Sequence, residues 1–199
     1  ISSAGSAQPG ALAVIARNPD HLDAFWIERD GRVGTNCWDA RANNGLWNSQ
    51  FTICAPSSAQ PGALAVVART PQHLDVFWIT ADGTIGSNWW DEAINNACWN
   101  QQFTVASRGS AAARALAAIG RKPDHLDLFW FGSDESIGTT WWSQATGWGN
   151  QFQIARALQP AAPDPSIAAA QQEAARQEAA RAEAQRQAEA AAQAARLLA

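Results

Sequence analysis

Ala11, Ala63 and Ala115 each begin a near-identical stretch, so the chain repeats itself with a period of 52 residues. The first copy runs ALAVIARNPDHLDAFWIERDGRVGTNCWDARANNGLWNSQFTI and the second ALAVVARTPQHLDVFWITADGTIGSNWWDEAINNACWNQQFTV. The third opens ALAAIGRKPDHLDLFWFGSDESIGTTWW and is three residues shorter before Trp148. Repetition at this length means one supersecondary unit that cannot bury its own faces and must stack on copies of itself. No single copy is expected to fold alone.

Within each copy the pattern is that of short strands. ALAVVA is apolar and ends ahead of a proline, while LDVFWI sets Leu74, Val76 and Trp78 against Asp75, Phe77 and Ile79. Asp30-Gly31 and Asp82-Gly83 carry the two-residue type I′ hairpin signal and lead into a third strand, TIGSNWW in copy two. Asp134-Glu135 stands there in copy three, which predicts a different turn. A fourth strand follows around Phe51, Phe103 and Phe152, after a looser segment holding Trp47, Trp99 or Trp148. Four short antiparallel strands per copy, with aromatics at fixed places, predict an all-β fold, a β-propeller of four-stranded blades. The blades are placed at 11–62, 63–114 and 115–155. Residues 1–10 are assigned to the end of a preceding blade, because Ile1 falls opposite Ile53.

Propellers close with roughly four to eight blades. Three leave two apolar blade faces open, an aggregation hazard, so the ring is expected to be completed by other blades or by a second chain. The partial blade at Ile1 and the absence of methionine favour blades lying upstream in a longer or processed protein. After Ile154 the composition changes. Residues 156–165 read as a stiff Pro/Ala-rich linker, and 166–199 as a single long α-helix rich in Ala, Glu and Arg, a rod of roughly 50 Å that starts at an Asp164 N-cap with Pro165 behind it. Glu173 and Arg176, Glu178 and Arg181, and Glu183 and Arg186 form pairs three apart along it. Its five-residue rhythm is not a heptad seam, so it reads as a spacer or as a docking element for a protein partner.

The 14 Lys and Arg against 18 Asp and Glu are interspersed and leave a net charge of -4, which gives no electrostatic footprint for nucleic acid. No apolar run approaches a membrane span, and the start does not look like a signal peptide. Cys37, Cys54 and Cys98 fall at unrelated offsets with no CxxC spacing. They are therefore taken as small buried apolar residues, with no metal and no cofactor expected.

His21, His73 and His125 recur in a PxHLD setting with Asp23, Asp75 and Asp127 two positions on. An enzyme builds one active site from unlike residues, whereas these pairs return identically, so they are given structural or ligand-contact roles and the chain is not read as an enzyme. Tryptophan is the anomaly of the composition, at 11 residues with no tyrosine. On the third strand Cys37 stands opposite Trp89, and that side is taken as core. The other side repeats a glycine, then Asn36, Asn88 or Thr140, then Trp38, Trp90 or Trp142: an aromatic plate, a polar group and a gap. Aromatic faces stack on the C–H faces of sugars while amides take up hydroxyls. Tryptophans also wedge between blades as packing, and both readings stand for each ring.

The stretches LDAFW, LDVFW and LDLFW, the Asp-Gly turns, and the pairs CWD, WWD and WWS resemble the bacterial β-propeller lectins of the Photorhabdus lectin type, over residues 11 to about 155. That resemblance implies fucose or O-methylated glycans bound in shallow pockets between blades, and a secreted or cell-surface setting. By position it implies Trp38, Trp90 and Trp142, with Trp47, Trp99 and Trp148, as stacking residues. Three roles follow as expectations: a multivalent lectin-like propeller, an assembly scaffold with a propeller head and helical rod, or an accessory propeller of a larger enzyme.

Overall fold

The computed structural model describes residues 2, 4–156, 173, 176–178, 181, 183 and 186. Two compact units are distinguished, Ile1–Ala157 and Leu158–Ala199.

The first unit is three antiparallel sheets in succession. Blade 1 is ordered β1 (Ala7–Asn18), β2 (His21–Glu28), β3 (Val33–Asp39), β4 (Phe51–Thr52). Blade 2 repeats it as β5 (Leu64–Thr70), β6 (His73–Ile79), β7 (Ile85–Asp91) and β8 (Phe103–Ala106). In blade 3, β9 (Leu116–Lys122), β10 (His125–Phe131) and β11 (Ile137–Ser143) are followed by a split outer strand. β12 (Gly147–Trp148) pairs one end of β11 and β13 (Phe152–Ala155) the other. The innermost strands β1, β5 and β9 lie side by side, so the blades stack face to face.

Stacking explains the loss of alternation along the middle strands. A strand between two neighbours is covered on both sides, and from Leu74 to Ile79 every residue of β6 is buried. One core joins Phe25, Ile27 and Val33 of blade 1 to Leu74, Val76 and Trp78 of blade 2. Its equivalent joins Val67, Phe77 and Ile85 of blade 2 to Leu126, Leu128 and Trp130 of blade 3. Segments that run between blades tie these layers together. Ala59 N donates to Gly31 O in blade 1, and the next residue's Gln60 N to Ile79 O in blade 2, both at 2.8 Å.

Several expectations are revised. The Asp-Gly hairpins are not type I′. Gly31 alone has positive φ, at +78°, its N donates to Glu28 O at 3.0 Å, and Glu28 N donates to Arg32 O at 2.8 Å. That is a type I turn closed by a left-handed residue in a G1 bulge. Copy three has the same turn rather than a different one. Glu135 takes the left-handed position at φ +64°, with Glu135 N on Gly132 O at 3.1 Å. Residues 7–10, assigned to a preceding blade, continue β1, and Ala7 pairs with Glu28 of the same blade. The cysteines are not buried: Cys37 and Cys54 are half-exposed and Cys98 is exposed.

A long C-terminal helix is not shown. Glu173, Arg176, Gln177, Glu178, Arg181, Glu183 and Arg186 are helical, and Gln177 Nε2 donates to Glu173 Oε1 one turn away at 3.3 Å. The rest of that expectation and the linker from 157 to 165 lie outside the described residues. Among the described residues no helix is long and apolar enough to cross a membrane.

Candidate functional site

A polar chain of side chains repeats at the same corner of every blade, and an arginine is its centre. Arg17, Arg69 and Arg121 stand 52 residues apart near the ends of β1, β5 and β9. Arg69 Nε donates to Asp75 Oδ2 at 2.7 Å and its Nη2 meets His73 Nε2. His73 Nδ1 in turn lies 2.9 Å from Asp91 Oδ2. Blade 1 builds the same chain from Arg17, Asp23, His21 and Asp39, and blade 3 builds it from Arg121, Asp127 and His125, with Ser143 in the last place. Sequence reasoning found the histidines with Asp23, Asp75 and Asp127, and missed both the arginine and the outer Asp39 and Asp91. The arginine's signal, a third polar residue at a constant offset from each HLD, was there to be read.

The arginines are gripped from the next blade. The guanidinium of Arg69 lies 4.2 Å from the centre of the Trp142 ring, and that of Arg17 lies 4.6 Å from the Trp90 ring. Arg69 Nη1 also donates to Pro123 O at 3.0 Å, across the blade boundary. Cation–π contact, an ion pair and a carbonyl together hold the group rigidly. Its burial is nearly complete, at 8% side-chain exposure against 9% for Asp75.

Titration follows from these neighbours. Burial pulls the His73 imidazole down, but the hydrogen bonds and charges of Asp75 and Asp91 outweigh it, and its pKa is raised above the usual histidine value. Asp91 is lowered, first by its hydrogen bond to His73. In blade 1, burial raises Asp23 against the opposing pull of Arg17 and His21.

Between blades 2 and 3 these groups line a cleft of about 460 Å³. Blade 2 supplies Arg69, Thr70, His73, Asp75, Trp89 and Asp91, with Ile94 and Phe103 as apolar lining. Blade 3 supplies Pro123, Trp142, Gln144 and Trp148. Trp89 lies flat on His73, 5.5 Å between centres and 12° between planes. Trp148 meets Phe77 edge-on at 5.9 Å. The corresponding cleft between blades 1 and 2 is smaller, about 130 Å³, and is lined by Arg17, Asp23, Cys37, Phe51, Trp90 and Trp99 among others.

Of the residues singled out on the sequence, Trp142 and Trp148 come together in the larger cleft, and Trp90 and Trp99 in the smaller. Trp38 and Trp47 pair with each other on blade 1, and Trp38 Nε1 donates to Gly45 O at 2.8 Å. Asn36 and Asn88 are buried, and their amides have backbone partners: Asn36 Nδ2 donates to Asn48 O, and Asn88 Nδ2 to Ile53 O in blade 1, each at 2.7 Å. The glycine gap is filled. A Cβ on Gly86 would lie 2.5 Å from Trp78 Nε1, because the buried indole of the paired strand occupies that space, and Gly34 and Gly138 meet Trp26 and Trp130 the same way. Trp89, placed on the core side by the sequence, is at the cleft.

His21, Asp23 and Cys37 bring one donor atom each within 4.8 Å of one another. Arg17 already supplies the cation there, 2.7 Å from Asp23. The trio is therefore part of the arginine-centred chain.

The sequence matches no protein-family profile and no curated protein. Solved structures do match in fold. BP39L lectin from Burkholderia pseudomallei is 25% identical with a TM-score of 0.66, over 78% of this chain and 44% of that one. The six-bladed β-propeller lectin of Aleuria aurantia is 17% identical with a TM-score of 0.55, over 78% of this chain and 48% of that one. AofleA from Arthrobotrys oligospora is 14% identical with a TM-score of 0.54, over 80% and 45%. The chain is thus built like the β-propeller lectins and spans about half the length of those it matches.

Proposed function

We propose that this chain is a non-catalytic carbohydrate-binding propeller whose sugars seat in the clefts between neighbouring blades. The observation that carries the reading is the cleft between blades 2 and 3, where aromatic walls from two blades flank a fixed guanidinium and two carboxylates. A pyranose has the same duality. Its C–H face lies against an indole such as Trp89 or Trp148, and adjacent hydroxyls reach Arg69, Asp91 and Gln144. Arg69 is held by Asp75 and Trp142 before any ligand arrives, so little conformational freedom is left to lose on binding. Blade 3 also lacks the three loop residues that would supply a counterpart to Ala97 O, the acceptor of Trp90 Nε1 at 2.8 Å. Among the described residues nothing accepts from Trp142 Nε1, which leaves that donor for a ligand.

Fucosylated or O-methylated sugars are the proposed ligands, since a sugar methyl group can lie against the apolar lining residues Ile94 and Phe103. The likeness to BP39L lectin supports the lectin reading. A point mutant of Aleuria aurantia lectin, which shares the fold, has been solved with Fucα1-6GlcNAc and with α-methyl-L-fucoside. The site is assigned to Arg69, His73, Asp75, Trp89, Asp91, Trp142, Gln144 and Trp148, and its smaller counterpart to Trp90 and Trp99 around Arg17.

A glycan array that includes fucosylated and O-methylated sugars tests this on the full chain. Saturable binding, competed by free sugar and weakened at least tenfold by Trp89→Ala in a variant of unchanged circular dichroism, is the expected result. Silence from the folded protein across the array would refute it.

A further inference from the structure

The same interface is made twice in this chain, and its two halves are left over at the ends. At each junction one blade presents an inner-strand alanine and valine or isoleucine, a stacking arginine and a phenylalanine. The next presents an inner-strand leucine, a valine or alanine two residues on, and two tryptophans: Leu64 and Val66 in blade 2, Leu116 and Ala118 in blade 3. Thus Arg17 stacks on Trp90 and Phe25 meets Trp99, then Arg69 stacks on Trp142 and Phe77 meets Trp148. Blade 3 carries the first half with no blade against it among the described residues. Ile119 is 54% exposed where its counterpart Val67 is 6% exposed, and the Arg121 side chain is 58% exposed where Arg69 is 8%. Blade 1 carries the second half. Leu12 and Val14 are 70% and 56% exposed, where Leu64 and Val66 are packed into a core. Trp38 and Trp47 occupy the places of the tryptophans that cover an arginine and a phenylalanine elsewhere.

We propose that a second copy of this chain closes the ring, blade 3 of each copy docking on blade 1 of the other about a two-fold axis. Matching is residue for residue: Arg121 stacks on the partner's Trp38, and Phe129 receives the partner's Trp47. Each junction repeats a contact that the chain already makes, so no new surface chemistry is required. Two chains of three blades give six, the blade number of the Aleuria aurantia lectin, of which this chain spans 48%. Closure also builds a cleft from both copies, with Arg121, His125, Asp127 and Trp141 on one side and Trp38 and Trp47 on the other. That ligand role rests on the carbohydrate reading above; the assembly itself does not.

The native mass of the intact chain decides it, measured by sedimentation or native mass spectrometry without sugar. A dimer of two 21.3 kDa chains is expected. Leu12→Glu and Ile119→Glu, at positions exposed in the single chain, should each halve the mass while circular dichroism stays unchanged. A monomeric parent chain, a trimer, or a dimer indifferent to both substitutions would overturn the proposal. A dimer that binds no glycan would refute the carbohydrate reading and leave the ring standing, and a monomer that binds glycan would do the reverse.

Discussion

Arg69 shows how one side chain couples stability to the site. It neutralises the buried Asp75, stacks on Trp142 and lines the cleft. Arg69→Ala leaves that carboxylate buried without its cation, a loss of about 3–5 kcal/mol. Chemical denaturation of the variant should show it, with an unchanged m-value. Trp78, 1% exposed and wedged beside Gly86, should cost a similar amount on truncation to Ala, about 3–5 kcal/mol. Trp89→Ala should cost clearly less, because that ring is half-exposed at the cleft. His73 has its own pH signature. Its folded pKa lies above the unfolded value of 6.5, so the folded state binds the proton more tightly. The stability this confers is full below that unfolded value and is lost as pH rises through the raised folded one. An NMR titration of the His73 ring should give a midpoint above 6.5, and a midpoint below it would contradict the two-carboxylate environment. Asp82 is simpler: the Thr80 hydroxyl and Thr84 hold its carboxyl down at about 2.

The strands were legible in the sequence because the repeat displays each one three times. Errors arose where a local signal has two geometric solutions. Asp30-Gly31 suits type I′, but only Gly31 enters the left-handed region, and the segment crossing to the next blade passes so close that a Cβ there would lie 2.9 Å from Ser57 Cα. The repeated glycine on β3, β7 and β11 looked like room for a ligand. It is instead the space taken by a tryptophan on the paired strand, which periodicity along one strand cannot reveal. Sidedness misled in the same way. A blade in the middle of a stack has two buried faces, so Trp89 and Trp90 point into different clefts and neither face is simply core. Cys37 stands in blade 1 where blade 2 has Trp89, and its cleft is the smaller. Cys37→Trp should supply the aromatic wall that Trp89 gives the larger cleft and tighten sugar binding at the smaller one, read as a lower dissociation constant in calorimetric titration.

For the whole molecule, stacked blades account for stability and for the proposed sites together, since the surfaces that bury the core also frame the clefts. Nothing in a single blade forms a complete site: Arg69 needs Trp142, and Arg17 needs Trp90. That dependence was hidden from the sequence, which places the partners far apart, Arg69 and Trp142 lying 73 positions from each other. On the proposed reading, sites made at junctions multiply with the number of junctions, and several weak sites on one ring would bind a multivalent glycan surface far more tightly than any one alone. The most direct test is calorimetric titration of the intact protein with methyl α-fucoside, parent against Trp89→Ala. Saturable binding that loses one site per chain in the variant is what the cleft between blades 2 and 3 predicts. A stoichiometry untouched by the substitution would contradict it.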